Sequence, residues 1–161
     1  MNGLKYFLGT GCYSGLTPKA PGTAGSLVIL LPLYFILKVN ATWLILLIVL
    51  ACSLICFWVF TYFEEEFGKD PGQLVMDEWA GQSLTFFTTG LAGSTELHVI
   101  ILLTGFVLFR IFDVLKPLGI RKVQNLPGGW GIFADDLLAG LYALLCLKTL
   151  IFVWPNIFGM V

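Results

Sequence analysis

Apolar runs of unequal length alternate with short polar or glycine-containing segments along the chain. The runs predict helices over residues 27–39, 42–63, 73–89, 97–116 and 135–158. About 20 residues are needed to cross the hydrocarbon core of a membrane, so the run at 42–63 is the clearest transmembrane candidate. The run at 27–39 is short for a full span and predicts a shallow or partly buried helix. The pattern therefore predicts several helices that cross or enter a membrane.

Helix-breaking residues separate these runs. Residues 9–25 contain five glycines and two prolines, which argue against a continuous helix, and Ser26 is a candidate N-cap for the helix that follows. The acidic triplet at 64–66 closes the run before it, Pro117 ends the helix at 97–116, and residues 118–133 form a polar connection. The loop at 9–25 could present Lys19 and backbone N–H groups to an anion. It lacks the residue order of a nucleotide P-loop, however, and a flexible surface loop is the simpler interpretation.

Composition supports a membrane protein. Hydrophobic residues make up 58% of the 161 residues and charged residues 12%, against about 45–50% and about 25% in soluble domains. The length suits one domain, and a net charge of -1 gives no reason to expect nucleic-acid binding. The four cysteines and the one histidine lack the spacing of a zinc site. The N-terminus lacks the pattern of a cleaved signal peptide, so we expect the internal helices to direct insertion.

Charged residues interrupt the apolar run at 97–116. At about 100° per residue, Arg110, Asp113 and Lys116 fall within an arc of about 120° and form one stripe on a helix. A charge at membrane depth costs roughly 2.5–3.5 kcal/mol and usually faces a bundle interior or a water-filled cavity. Two cations beside a single acid leave a positive surplus, which suits a phosphate. The stripe therefore predicts a functional site.

Two acidic pairs each begin a predicted helix. The pairs are Asp77-Glu78 and Asp135-Asp136. A purely structural explanation exists, because carboxylates interact favourably with the positive end of a helix. Each pair is also followed one turn later by small residues, Gly81 in one helix and Ala139 and Gly140 in the other. Small residues allow another backbone to approach, so the repetition predicts close helix packing beside both pairs.

The charged segments are expected to meet on one side of the membrane. If the runs cross or enter in alternation, the loop with Lys19, the turn with Lys69, the end of the Arg110 helix and the loop with Arg121 share a side. These segments carry most of the basic residues, which marks the cytoplasmic side. We therefore expect a single site at the cytoplasmic face.

Five acids at one interface would require a cation. They are Asp77, Glu78, Asp113, Asp135 and Asp136. Like charges at close range raise one another's pKa values unless a cation neutralises them, and oxygen ligands without histidine or cysteine select magnesium, manganese or calcium. We expect Mg²⁺, with Mn²⁺ as a substitute. Arg110, Lys116 and Lys19 supply the positive groups that bind a phosphate and stabilise charge during its transfer.

Other phosphatase chemistries do not fit the sequence. No cysteine is followed by arginine six residues later, no Asp-x-Asp motif occurs, and a histidine nucleophile would need a partner that His98 lacks. The chemistry that remains is direct attack on phosphorus by a metal-activated water molecule.

Three ordered segments resemble the phosphatidylglycerophosphatase A family. They are GTGCYSGLTPKAPGTAGSL at 9–27, DPGQLVMDEWAG at 70–81, and FRIFDVLKP with GGWGIFADDLLAG within 109–140. The resemblance implies an all-α fold: a compact multi-helix integral membrane bundle with short or broken helices and a glycine- and proline-rich N-terminal loop, forming one domain over 1–161. It implies a magnesium-dependent enzyme of the bacterial inner membrane. Its substrate would be the phospholipid phosphatidylglycerophosphate, which it would convert to phosphatidylglycerol and phosphate.

The resemblance also implies roles for individual residues. The expected catalytic acids are Glu78, Asp113, Asp135 and Asp136. The expected metal ligands are Asp77, Glu78, Asp113, Asp135 and Asp136. The expected phosphate-binding residues are Lys19, Thr23, Arg110 and Lys116, with Asp70 in a supporting role. The motifs do not distinguish metal ligands from the general base, and they leave the oligomeric state open.

A small transporter or channel subunit is the alternative. Its intramembrane charges would line an ion path and would be distributed through the depth of the membrane. The central parts of the runs at 42–63 and 137–154 contain one charged residue, Lys148, which lies near one end. The sequence therefore favours the enzyme.

Overall fold

The computed structural model describes residues 2–89 and 95–155, and these ranges contain helices and no β-strand. The all-α prediction is confirmed. A short 3-10 helix, Ser14–Leu16, follows the first α-helix. The α-helices are α1 (Asn2–Gly9), α2 (Pro21–Lys38), α3 (Trp43–Phe67), α4 (Met76–Leu84), α5 (Thr95–Leu115), α6 (Ile120–Val123) and α7 (Gly129–Val153).

Four helices, α2, α3, α5 and α7, are long and apolar enough to cross a membrane. Large apolar side chains on their outer faces are exposed, among them Leu31, Leu54, Val107 and Phe152. A soluble protein rarely exposes so much apolar surface, whereas a membrane protein presents it to lipid. The four helices therefore indicate a membrane protein.

The short helix α4 lies among these four long helices. Its nine residues extend about 14 Å, which is less than half of the hydrocarbon thickness of about 30 Å. It contacts α2, α3, α5 and α7, and its contacts with α7 and α3 are the most extensive. Asp77, Gln82 and Ser83 are among its buried residues. The bundle thus encloses a short helix that carries polar side chains.

Two glycines bring the backbones of α4 and α7 together. A Cβ atom on Gly81 would collide with the carbonyl oxygen of Asp136, and one on Gly140 would collide with the carbonyl oxygen of Gly81. Backbone atoms cannot move aside as a flexible side chain can, so only glycine fits at these positions. The predicted close packing is confirmed here, and it holds Asp77 and Asp136 on touching helices.

The start of α2 differs from the prediction. The helix begins at Pro21, within the segment expected to be a loop, because proline lacks an N–H group and its fixed φ suits the first helical turn. The prediction that Ser26 is an N-cap is wrong, since its hydroxyl donates to the Gly22 carbonyl at 2.8 Å inside the helix. The earlier start gives α2 18 residues, so the helix is longer than the predicted run at 27–39 and is long and apolar enough to cross a membrane.

Other boundaries also differ, and α4 spans Met76–Leu84 instead of the predicted 73–89. The acidic triplet at 64–66 does not end α3, which continues to Phe67 and stops where Gly68 adopts a φ of 88°. The last helix begins at Gly129, after Gly128 with a φ of 60°, so Asp135 and Asp136 do not open it and instead are its seventh and eighth residues. Helix α5 ends at Leu115, as Pro117 predicted. The turn predicted at 90–96 is shorter than expected, because α5 already begins at Thr95, and residues 90–94 lie outside the described ranges. The end predicted near residue 158 is wrong, since α7 ends at Val153.

Candidate active site

The expected charged segments meet at one end of the bundle. Gly22, at the start of α2, packs against the Glu78 carboxylate of α4. Lys116, just after α5, forms an ion pair with Asp135 of α7. Between the α3–α4 and α6–α7 connections, Gln124 Nε2 donates to Asp70 Oδ2 at 3.5 Å. The contacts bring these segments together, whereas their location on the cytoplasmic side of the membrane stays a prediction.

Three carboxylates form a compact group at this end. Asp77, Glu78 and Asp136 each offer an oxygen, and these oxygens lie within 4.8 Å of one another. The Glu78 backbone N–H donates to Asp77 Oδ1 at 3.0 Å. Glu78 Oε2 is buried and lacks a hydrogen-bond partner in the described part of the chain. A buried, unpartnered carboxylate oxygen is costly, and three oxygens at this spacing suit a hard divalent cation such as Mg²⁺.

Burial strongly affects the two acids of α4. It raises the pKa of Glu78 well above the usual range of a glutamate; the Asp77 and Asp113 carboxylates act in the same direction, and Arg110 opposes them. Burial also raises the pKa of Asp77 to about 6, although hydrogen bonds with Glu78 act to lower it. Acids in such surroundings retain a proton or bind a cation. The electrostatics therefore agree with the ligand geometry.

The charged stripe of α5 divides into two ion pairs. Arg110 Nη1 lies 2.7 Å from Asp113 Oδ2. Lys116 pairs with Asp135 of α7, so the interpretation that both cations face Asp113 alone is wrong. The reason is local: Lys116 has a φ of 47°, in the left-handed region, and it therefore leaves the regular helix. The Lys116 ammonium loses some proton affinity through burial, but its hydrogen bond to Asp135 leaves its pKa raised overall.

The five predicted metal ligands are thus close together but differently partnered. Asp77, Glu78 and Asp136 form the carboxylate group, whereas Asp113 and Asp135 each pair with a cation. Asp113 remains near enough for its charge to act on Glu78 and Asp136. The arrangement favours three acids as ligands and two as partners of the basic residues.

The remaining predicted residues lie at the edge of the site. Lys19 is exposed three residues before Gly22, and Thr23 is half-buried in the first turn of α2. Neither has a described hydrogen bond or ion pair to the carboxylate group. Asp70 is exposed in the α3–α4 connection with a φ of 59°. The predicted roles of Lys19 and Thr23 in phosphate binding, and of Asp70 in support, therefore stay predictions.

Two site residues were missed from the sequence. The Ser26 hydroxyl accepts a hydrogen bond from Arg110 Nη1 at 3.4 Å. Gln82 is completely buried, and neither atom of its amide has a partner within the described ranges. The spacing in the sequence could have indicated Gln82, because this residue follows Glu78 by one helical turn and therefore lies on the same face of α4.

Comparisons with known proteins identify a family and several relatives of this chain. The family described as phosphatidylglycerophosphatase A matches residues 7–151. A Bacteroides thetaiotaomicron protein, provisionally named phosphatidylinositol-3-phosphatase, is 38% identical over 91% of this chain and 92% of its own. Proteins named phosphatidylglycerophosphatase A are 34% identical in Haemophilus influenzae (87% of this chain, 84% of theirs) and 33% identical in Escherichia coli (93% and 85%). No solved structure matches the chain.

Proposed function

The chain belongs to the phosphatidylglycerophosphatase A family, and from this premise we propose that it hydrolyses the phosphate monoester of phosphatidylglycerophosphate to give phosphatidylglycerol and phosphate. One observation carries the proposal: Asp77, Glu78 and Asp136 lie together beside two half-buried cations at the same end of a membrane bundle. The name of the Bacteroides relative specifies a different polyol. Both names specify a phospholipid whose headgroup carries a phosphate monoester.

Asp77, Glu78 and Asp136 would hold Mg²⁺, or Mn²⁺ as a substitute. When bound, the ion would lower the pKa of a water molecule and neutralise phosphate oxygens. Arg110 and Lys116 lie beside this group and would bind the remaining phosphate oxygens through charge-assisted hydrogen bonds. Asp113 and Asp135 orient these two cations, and either carboxylate could accept a proton during attack.

The test is phosphate release by the purified protein. We expect release from phosphatidylglycerophosphate in the presence of Mg²⁺, and none in excess EDTA until Mg²⁺ is restored. Full activity in EDTA would overturn the metal assignment. Phosphatidylinositol 3-phosphate serves as the comparison substrate, and a higher kcat/KM for it would overturn the proposed substrate while leaving a metal-dependent lipid phosphatase.

We place the site at the cytoplasmic face of the inner membrane, because basic residues concentrate at this end of the bundle. With single-cysteine variants in intact cells or inverted vesicles, an impermeant maleimide should label positions 19, 69 and 121 from the cytoplasmic side. Position 95 should be labelled from the opposite side. Labelling of positions 19 and 121 from opposite sides would contradict a common site.

Lys116 provides a test of phosphate binding. Lys116→Met keeps the side-chain stem and removes the charge, so we expect kcat/KM to fall about tenfold to a hundredfold while Mg²⁺ affinity is retained. The reason is that a charge-assisted contact is worth roughly 1.5–3 kcal/mol. Lys116→Arg is the control and should recover part of the activity. Wild-type kcat/KM with reduced thermal stability would instead show that Lys116 only holds Asp135 in place.

A further inference from the structure

A polar cleft opens beside the candidate active site. It lies between the α3–α4 connection and the segment that joins α6 to α7, and its volume is about 290 Å³. The side chains of Lys69, Asp70, Gln124 and Asn125 line it, together with Glu64 at the end of α3. Asp70, Gln124 and Asn125 contribute acceptors and amide donors, and Lys69 contributes a cation.

The cleft is next to the Lys116–Asp135 ion pair. Ile132 lines the cleft and lies three residues before Asp135, so the two share one face of α7. Asp70 is close enough to Asp135 for its charge to act on that carboxylate. A molecule with its phosphate at the carboxylate group could therefore extend past Asp135 into the cleft.

The chemistry of the cleft suits hydroxyl groups. The hydrogen bond from Gln124 to Asp70 is long, 3.5 Å, and so both side chains have capacity for a further partner. A water molecule occupies about 30 Å³ in the liquid, so the cleft has room for about ten groups of that size. A glycerol unit with an adjoining phosphodiester has about this number of non-hydrogen atoms.

We propose that this polar cleft binds the polyol that carries the scissile phosphate, together with the phosphodiester that joins this polyol to the lipid. Lys69 binds the phosphodiester anion, and Asp70, Gln124 and Asn125 bind the hydroxyl groups. The cleft then selects which polyol phosphate the enzyme hydrolyses. This inference rests on the proposed function and adds the residues that determine its specificity.

The experiment uses soluble headgroups without acyl chains. Glycerophosphoglycerol and glycerophosphoinositol contain the polyol and the phosphodiester but no monoester, and inorganic phosphate contains neither. Their binding to the Mg²⁺-loaded protein is measured by calorimetry and by inhibition of phosphate release. For Gln124→Ala and Asn125→Ala, we expect glycerophosphoglycerol to bind about tenfold more weakly than to the wild type, whereas the affinity for phosphate is unchanged.

Gln73→Ala is the matched control, because Gln73 carries the same amide but does not line the cleft. It should bind both ligands as the wild type does. Unchanged glycerophosphoglycerol affinity in both cleft variants, or an equal loss for phosphate, would overturn the proposal. Tighter wild-type binding of glycerophosphoinositol would assign the cleft to inositol instead of glycerol. Calorimetry needs no turnover, so a protein that binds the headgroup but releases no phosphate would contradict the proposed function alone.

Discussion

Asp136→Asn is expected to abolish phosphate release while leaving the protein folded. Asp136 is the α7 member of the carboxylate group, and the other two members belong to α4. Asparagine keeps the size of the side chain and removes the charge that a divalent ion requires. Removing a residue that only hydrogen-bonds to a metal ligand typically reduces metal affinity or activity 10–100-fold. Removing a ligand itself should therefore reduce activity by more than about a hundredfold.

Thermal unfolding distinguishes a lost ligand from a damaged fold. Without metal, Asp136→Asn should be at least as stable as the wild type, because one of several mutually repelling carboxylates has been neutralised. Added Mg²⁺ should raise the Tm of the wild type but not that of the variant, since a ligand stabilises the state to which it binds. Glu65→Gln, on the exposed end of α3, is the control and should retain both turnover and the Tm response. A full Tm response in Asp136→Asn would contradict the assignment.

The sequence was informative wherever the physical constraint was local. Charges within an apolar run predicted buried polar contacts, and small residues one turn after the acidic pairs predicted close helix packing. The contact between Gly81 and Gly140 confirms the second prediction. Pro117 predicted the end of α5 correctly because the effect of proline acts on neighbouring residues. Such features need no knowledge of distant parts of the chain.

Pairings between distant segments could not be predicted in the same way. Spacing placed Lys116 and Asp113 on one face of a regular helix, but Lys116 leaves the helix with a left-handed backbone and reaches Asp135. Likewise, Gly22 appeared to be a helix breaker, whereas it lies inside α2 where a side chain would collide with the Glu78 carboxylate. In both cases tertiary packing decided the outcome, because the relevant neighbour is remote in sequence.

Gly140→Ala is expected to reduce turnover by about a hundredfold, although residue 140 carries no functional group. Its Cβ atom would meet the carbonyl oxygen of Gly81, so α4 and α7 must separate. Asp77 and Glu78 would then move away from Asp136, and a displacement of about 1 Å in a catalytic arrangement can cost about a hundredfold in rate. Mg²⁺ affinity should fall with turnover, because the three proposed ligands belong to these two helices.

The sign of the stability change separates this mechanism from a simple effect of helix propensity. Alanine in a helix is favoured over glycine by about 1 kcal/mol, so propensity alone would raise the Tm. A collision with a backbone atom should lower it. Gly3→Ala in α1 is the matched control, since a Cβ atom there meets nothing within 4 Å, and it should be neutral or stabilising and fully active. If Gly140→Ala were as active as Gly3→Ala and equally stable, the contact between α4 and α7 would not be what holds the carboxylate group together.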